Sequence, residues 1–585
     1  MNKLTKKCVA AIASLAMAGT LCVAGAVTMA GVAWATKPQP PQPTISKEPW
    51  GSHVPQGPYS ITIVNCDAKV DTSATGTTSQ CDANHKPLDG AVFKLTPIKK
   101  IGDTELKADD FKKIDTWSKI ATTIDALNRG KEDEAKIEVD DTQAKTATVN
   151  GGTAKFEQVP LGFYKVEETK MPTGNYGAND VTVFYMTLPQ IERKPKTKDS
   201  TEIVTNYNYN PIVKIKNKDL SSSITKVFST EKGSNAVSVK DAFDYVISAE
   251  VNHPAGTLDA KSIQDYMVFD DAPGDAFDNI TEDTVKSVKM DGVDDALTKD
   301  TDYTVEIKQN STTQAITDND DSKNLAAQHT RILVKFKEDG LTKIAGALNK
   351  AQAGTEPKVH VTVSLKLSDS YKNDISKKEI KNKSGFFKSH PSNTTKDPDP
   401  IVSGDGDDDK GTSTVKLGFL QVYKHDKNDK NTKLPNAVFK IFNSEAKAEA
   451  CKTALLKRSA GSTDVPTECS DGASTNFAGT TNDQGKFATD QKVIAGQMVY
   501  LVEVTAPTGY LLANEVRGVT VEEGKTTTVN FPNTKIADLK IDTWFNLPAT
   551  GAAGVILFAL AGMGLIAASV FLYMRNRKEE EQAKA

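Results

Sequence analysis

An all-β fold, a tandem of immunoglobulin-like β-sandwiches with small helical insertions, follows from three features of this 585-residue chain. Short runs such as "SITIVNCDA" (60–68), "VHVTVSLKL" (359–367) and "FLQVYKHDK" (419–427) alternate their faces and are separated by Gly, Asn, Asp and Pro turns. Two signals then recur in the same order: "LDGAVFKL" (88–95) and "FYKVEETKMPTGNY" (163–176) return as "LPNAVFKI" (434–441) and "VYLVEVTAPTGY" (499–510). A repeat of this kind means two copies of one β-rich module, and short strands with frequent turns argue for a sandwich. Helical spacing is confined to short stretches. Within 108–129 a stripe of Phe111, Ile114, Trp117, Ile120, Ile124 and Leu127 predicts a core-packing helix, and "LTKIAGALNKA" (341–351) predicts a second.

The two ends read as export and anchoring segments. Residues 1–35 have a basic start (Lys3, Lys6, Lys7), a long Ala/Gly/Val/Leu run and a small-x-small site, Ala33-Trp34-Ala35, as a signal peptide requires. Residues 36–56 are a Pro-rich spacer. At the other end, 552–573 is an uncharged apolar run long enough to cross a bilayer as a helix. A cytoplasmic tail, 574–585, follows with Arg575, Arg577 and Lys578, the charges that the positive-inside rule leaves in the cytoplasm. Before the span, at the end of a stalk (537–551), stands Leu547-Pro548-Ala549-Thr550-Gly551, which resembles the LPxTG sorting signal of Gram-positive surface proteins. That resemblance implies a sortase that cuts after Thr550 and passes its carboxyl to an amine, leaving the protein on the cell wall.

A formal charge of −4 points to no nucleic-acid partner. No cofactor is indicated. The histidines are scattered and no Cys-x-x-Cys occurs, so no metal site is expected, and Asp405-x-Asp407-x-Asp409 lacks the Gly and Glu of a calcium loop and reads as an acidic linker. With Cys8 and Cys22 in the signal peptide, the exported chain keeps four cysteines. Local pairing, Cys66–Cys81 and Cys451–Cys469, is the simplest of three connectivities. No Gly-x-Ser-x-Gly elbow or His-Glu-x-x-His motif supports a wall-anchored hydrolase, and no histidine has an evident catalytic setting.

Inward-facing lysines carry the chemistry. Alternation puts Leu420, Val422 and Lys424 on one strand face, Val529, Phe531 and Asn533 on another, and Val499, Leu501 and Glu503 on a third. A buried lysine is neutral or paired. These residues resemble the Lys, Asn and acid of Cna B-type domains, in which Lys and Asn form a spontaneous isopeptide bond. The resemblance implies a Lys424–Asn533 bond promoted by Glu503 in a module at 414–536; a buried Lys424–Glu503 ion pair is the competing reading. Residues 219–390 resemble the fimbrial domain set between two such modules, with Lys226, Asp270 and Asn382 as the implied set and Asp271 and Lys381 as their off-register neighbours. Residues 391–413 read as a linker. In the first module, 57–218, Glu168 and Asn217 match Glu503 and Asn533, but Asn65 stands where Lys424 does, so no internal crosslink is expected there.

"YNYNPIVKIKNKD" (207–219) alternates Val213, Ile215 and Asn217 against Lys214, Lys216 and Lys218. It resembles the pilin motif WxxxVxVYPKN of sortase-assembled SpaA-type major (backbone) pilins: Lys216-Asn217 matches the terminal Lys-Asn and Tyr207 the aromatic. Pro211 and Lys214-Ile215 depart from the motif, which keeps Lys214 and Lys218 as rivals to Lys216. Alternation points Lys216 outward, as an exposed acceptor. The resemblance implies a shaft subunit supporting adhesion, with Thr550 of one copy joined to Lys216 of the next. Its implied partners are identical subunits, pilus-specific and housekeeping sortases, minor or tip pilins, peptidoglycan and host surface ligands. A non-polymerised wall-anchored adhesin or minor pilin is the alternative; wall-extract ladders that depend on Lys216 separate the two.

Overall fold

In the computed structural model the described residues are 48–538 without 52–53, 71–80, 82–84, 129–134, 180–182, 196–202, 230–241, 255–256, 353–354, 393, 405–409, 459–463 and 471–478. The expected signal peptide, the sorting signal Leu547–Gly551, the 552–573 span and the basic tail lie outside them, as do Asp405, Asp407 and Asp409. Among the described residues no helix is long and apolar enough to cross a membrane.

The chain is all-β. In the first sandwich, strand Ser60–Val70 lies between Ile212–Asp219, its parallel neighbour, and Thr153–Glu157, antiparallel to it. The facing sheet runs Val183–Leu188, Gly162–Lys170, Val92–Ile101. Ile61, Ile63, Phe93, Leu95, Val166, Val213 and Ile215 fill the space between them, so alternation on each strand did select the core face. The last sandwich repeats this plan. Thr412–Asp426 pairs in parallel with Thr526–Asn533, and Val438–Phe442 pairs with Met498–Thr505 over a core of Leu420, Val422, Phe439, Leu501 and Phe531.

The helical insertion forms a short turn, Ala108–Lys112, and a helix, Ile114–Asn128. Phe111, Trp117, Ile120, Ile124 and Leu127 pack against Phe163 and Tyr185, on the outer side of the second sheet. Ile114 is the exception to the predicted stripe: at the first helical position it is 48% exposed.

Between the two repeats, Ile224–Phe228, Ala242–Glu250 and Lys358–Leu367 build one sheet, and Tyr303–Gln309, His329–Phe336, Met267–Pro273 and Glu379–Phe387 the other. The predicted helix is present as Glu338–Lys350. Part of 391–413 is taken into this structure: Ile401–Val402 pairs with Gly385 and Phe386, and the Lys410 carbonyl accepts from the Lys226 amide. Strand Thr412–Asp426 then crosses from one sandwich into the next. Its residues 412–416 pair with 379–383, and 417–426 pair with strands of the last sandwich.

Candidate functional site

The parallel pair of first and last strands brings the last sandwich's chemistry together. Lys424 lies opposite Phe531, and Asp426 opposite Asn533; on the facing sheet Phe439 lies opposite Glu503. Lys424 and Glu503 are fully buried and Asn533 is 2% exposed. Glu503 Oε1 accepts from Lys424 Nζ at 2.9 Å, and Asn533 Nδ2 donates to both carboxyl oxygens at 3.0 and 2.9 Å. Lys424 Nζ also contacts Asn533 Oδ1. The rings of Phe439 and Phe531 flank the amine at 5.6 and 5.1 Å. Desolvation lowers the lysine pKa and raises that of Glu503, each opposed by the other's charge. The backbone of Lys424 is held by Gly485, whose carbonyl accepts its amide; with φ of +65° and the Lys424 carbonyl 2.3 Å from where a Cβ would stand, only glycine fits there.

A second triad sits between the middle sheets. Lys226 Nζ donates to Asp270 Oδ2 at 2.6 Å and to the Lys383 carbonyl at 3.0 Å; Asn382 Nδ2 reaches the same Asp270 oxygen at 3.4 Å. Lys226 is 4% exposed, Asp270 1% and Asn382 0%. Burial again lowers the lysine pKa and raises the carboxyl's. Strand parity separates the rivals. Asp271 points to the other side, where both its oxygens accept from Arg331 at 2.8 Å, and Lys381 lies on an exposed strand face near Glu379.

In the first sandwich the register repeats: Asn65 lies opposite Ile215, Asp67 opposite Asn217, and Phe93 opposite Glu168. Asn65 thus occupies the place of Lys424. Asn217 Nδ2 donates to Glu168 Oε1 at 3.2 Å and to the Gly177 carbonyl at 2.9 Å. Among the described residues, neither side-chain polar atom of the fully buried Asn65 finds a hydrogen-bond partner, nor does Asn217 Oδ1. Both disulfides are formed, Cys66–Cys81 and Cys451–Cys469, the second fastening helix Glu445–Lys457, which no apolar stripe marks in the sequence.

The expectation of an openly exposed Lys216 is corrected. Lys216 does face away from Asn217, but it is only 6% exposed. It lies opposite Cys66, and the short strand His85–Pro87 pairs with the other edge of Ser60–Val70, Pro87 opposite Cys66. Its Nζ meets His85 Nε2 at 2.9 Å in a part-buried contact. Alternation reports which face a side chain takes, not what covers that face. Lys218 is the exposed member and is held by Glu250 and Glu356 at 3.1 and 3.3 Å, which raise its pKa against the opposing desolvation. Lys214 is half-buried. His85 went unrecognised in the sequence because nothing local ties residue 85 to residue 216.

Two buried lysines that no motif marked join neighbouring sandwiches. Lys388 donates to the carbonyls of Gly174 and Tyr176 and contacts Asp397. Lys492 donates to the carbonyls of Tyr371 and Asp374 at 2.6 and 2.7 Å. Among the described residues no cluster of His, Cys, Asp and Glu is arranged to hold a metal ion.

Comparison with known proteins agrees with this architecture. The SpaA prealbumin-like fold domain matches residues 74–197 and 418–535, and the LPXTG cell wall anchor motif matches 545–581. Fimbrial subunit type 2 of Actinomyces naeslundii is 25% identical over 555 residues, spanning 89% of this chain and 90% of its own. Fimbrial subunit type 1 of Actinomyces viscosus is 25% identical over 558 residues, 91% and 93% of the two chains. Among solved structures, the fimbrial protein FimP from Actinomyces oris has 19% identity and a TM-score of 0.43, covering 84% of this chain and 99% of its own. The major pilin SpaD from Corynebacterium diphtheriae has 19% identity and a TM-score of 0.38, covering 82% and 98%. With two SpaA prealbumin-like domains, a wall-anchor motif after them and similarity to fimbrial subunits along nearly its whole length, the chain is a structural, cell-wall-anchored subunit of a surface pilus rather than an enzyme.

Proposed function

We propose that this subunit is polymerised covalently, head to tail, and that each copy is stiffened by two internal isopeptide bonds, Lys424–Asn533 and Lys226–Asn382. The observation that carries the internal bonds is the pair of buried triads, each holding an amine, a carboxyl and a carboxamide away from water. Desolvation frees the lysine lone pair and keeps the acid protonated. Nζ attacks the Asn side-chain carbonyl carbon, the new C–N bond replaces the bond to Nδ2, and Glu503 or Asp270 relays the protons with which ammonia departs. Proximity within a folded core takes the place of an enzyme.

In the last module the bond would join the first and last strands, which run parallel. Tension applied at the two ends of the module pulls such strands past each other, so a covalent tie there takes the load instead of the hydrogen-bond ladder. For the polymer, a pilus-specific sortase would cut after Thr550 and pass its carboxyl to Lys216 of the next copy; repetition of this heterologous contact gives a filament. The housekeeping sortase would transfer the finished polymer to peptidoglycan. Lys216 is preferred because Lys216-Asn217 matches the closing Lys-Asn of the pilin motif, whereas Lys218 lies outside that match and is held as a cation by Glu250 and Glu356.

Intact mass and peptide mapping of the full chain test the internal bonds: two ammonia losses are expected, at 226–382 and 424–533. Wall extracts test the polymer: Lys216→Ala removes the high-mass ladder. A persistent ladder assigns the role to Lys214 or Lys218, and no ladder in the wild type supports a single wall-linked adhesin.

A further inference from the structure

We infer that Tyr245 supplies the hydroxyl that stabilises the oxyanion on Asn382 as the middle crosslink forms, an assignment that rests on the Lys226–Asn382 bond proposed above. Strand pairing places the ring. Lys226 lies opposite Ile247 and Phe228 opposite Tyr245, so Tyr245 is the diagonal neighbour of Lys226 on the inward face. Its ring centroid is 5.0 Å from Lys226 Nζ, and the side chain is fully buried. Among the described residues, the Tyr245 hydroxyl finds no hydrogen-bond partner, and neither do Asp270 Oδ1 and Asn382 Oδ1. One donor and two acceptors are thus left over around one buried amine. A buried hydroxyl without a partner is destabilising, and Phe would fill the same space without that cost. Burial raises the Tyr245 pKa well above its ordinary value, and the Asp270 charge adds to the rise, so the hydroxyl keeps its proton.

The last sandwich shows what the hydroxyl replaces. Glu503 accepts from Asn533 Nδ2 with both oxygens, and Asn533 Oδ1 is contacted by Lys424 Nζ. The rings beside that amine are Phe439 and Phe531, which carry no donor. Asp270 is one methylene shorter. It meets Asn382 Nδ2 through Oδ2 alone, at 3.4 Å, and Asn382 Oδ1 is left bare. When Lys226 Nζ attacks the Asn382 side-chain carbon, the carbonyl electron pair moves onto Oδ1. Tyr245 donates a hydrogen bond to that oxygen and keeps its own proton. Asp270 carries one proton from Nζ to Nδ2, the carbonyl re-forms, the C–Nδ2 bond breaks and ammonia leaves. Charge stands on Oδ1 only during the reaction, so the hydrogen bond tightens then and not in the resting fold.

The test follows the full chain after a short pulse of cell-free synthesis. Peptide mapping reads the ammonia loss at 226–382 against time, with the loss at 424–533 in the same molecules as reference. Tyr245→Phe removes the hydroxyl alone. It is expected to slow the loss at 226–382 about 100-fold and to leave the loss at 424–533 at its wild-type rate. In an Asn382→Ala background, where the bond cannot form, Tyr245→Phe is expected to keep or raise the melting temperature, because it deletes an unpartnered hydroxyl. Loss at 226–382 at the wild-type rate in Tyr245→Phe would overturn the assignment. So would a lower melting temperature in the Asn382→Ala background, which would make Tyr245 a structural residue. A wild type that loses no ammonia at 226–382 is a separate failure: the crosslink itself falls, and the role of Tyr245 with it.

Discussion

Asn533→Ala is the substitution that isolates the contribution of the proposed crosslink in the last sandwich. It removes the electrophile but leaves the Lys424–Glu503 contact at 2.9 Å, so no buried charge loses its partner. Lys424 and Asn533 are 109 positions apart. On the chain-entropy account of a covalent loop, closing that span removes about 4.8 kcal/mol of freedom from the unfolded state. Loss of the two hydrogen bonds from Asn533 to Glu503 adds about 2 kcal/mol. For a unit of roughly 120 residues, the unfolding entropy converts the sum into a melting-point drop of about 25 °C. Intact mass accompanies calorimetry of the full chain: the wild type is lighter by about 17 Da for each ammonia lost, and the variant keeps only the loss at 226–382. Two results would refute the reasoning: a wild-type mass equal to that of its disulfide-bonded, processed sequence, or a drop of about 8 °C, which the hydrogen bonds alone explain.

Asn65→Lys places an amine where the register of the first sandwich matches Lys424, beside an already formed Glu168–Asn217 contact. A new 65–217 crosslink, seen as a further loss of about 17 Da in peptide mapping, is expected; an unchanged mass would show that Glu168 lacks the role proposed for Glu503. Burial at the sandwich junction lowers the Lys492 pKa to about 8. The unfolded chain therefore binds more protons between about pH 8 and 10.5, and stability due to this group rises with pH across that window; wild type is expected to gain relative to Lys492→Met in melts from pH 7.5 to 10, and parallel curves would disprove it. Replacing both Cys451 and Cys469 by Ser opens a loop of sequence separation 18 and should lower stability by about 3 kcal/mol in denaturant unfolding. Asp271→Asn, which loosens the buried grip of Arg331 on the side away from the triad, should destabilise the middle sandwich without altering the ammonia loss at 226–382.

Much of this was legible from local pattern. Period-two alternation identified the inward faces that carry Lys424, Glu503 and Asn533, because a strand turns successive side chains to opposite sides whatever surrounds it. The same parity chose Asp270 over Asp271 and Asn382 over Lys381. Repeated signals aligned Asn65 with Lys424 before any register was known, and export together with short cysteine spacing indicated both disulfides.

Other features depend on contacts between distant parts of the chain. Burial of Lys216 comes from a strand more than a hundred residues earlier, His85–Pro87, which pairs with Ser60–Val70. Lys388 and Lys492 look like ordinary strand lysines until the carbonyls they hold, at 174 and 176 and at 371 and 374, are brought to them. The passage of Thr412–Asp426 through two sandwiches follows from its pairing with 379–383, not from its own residues. By itself the sequence determined the all-β class, the repeat, the wall anchor and the side each reactive residue takes on its strand, and it left local disulfide pairing as the simplest of three connectivities. Only the tertiary structure decided what stands against each of those sides, because alternation is a property of one strand, whereas cover, hydrogen-bond partner and desolvation belong to the strands and loops packed on it.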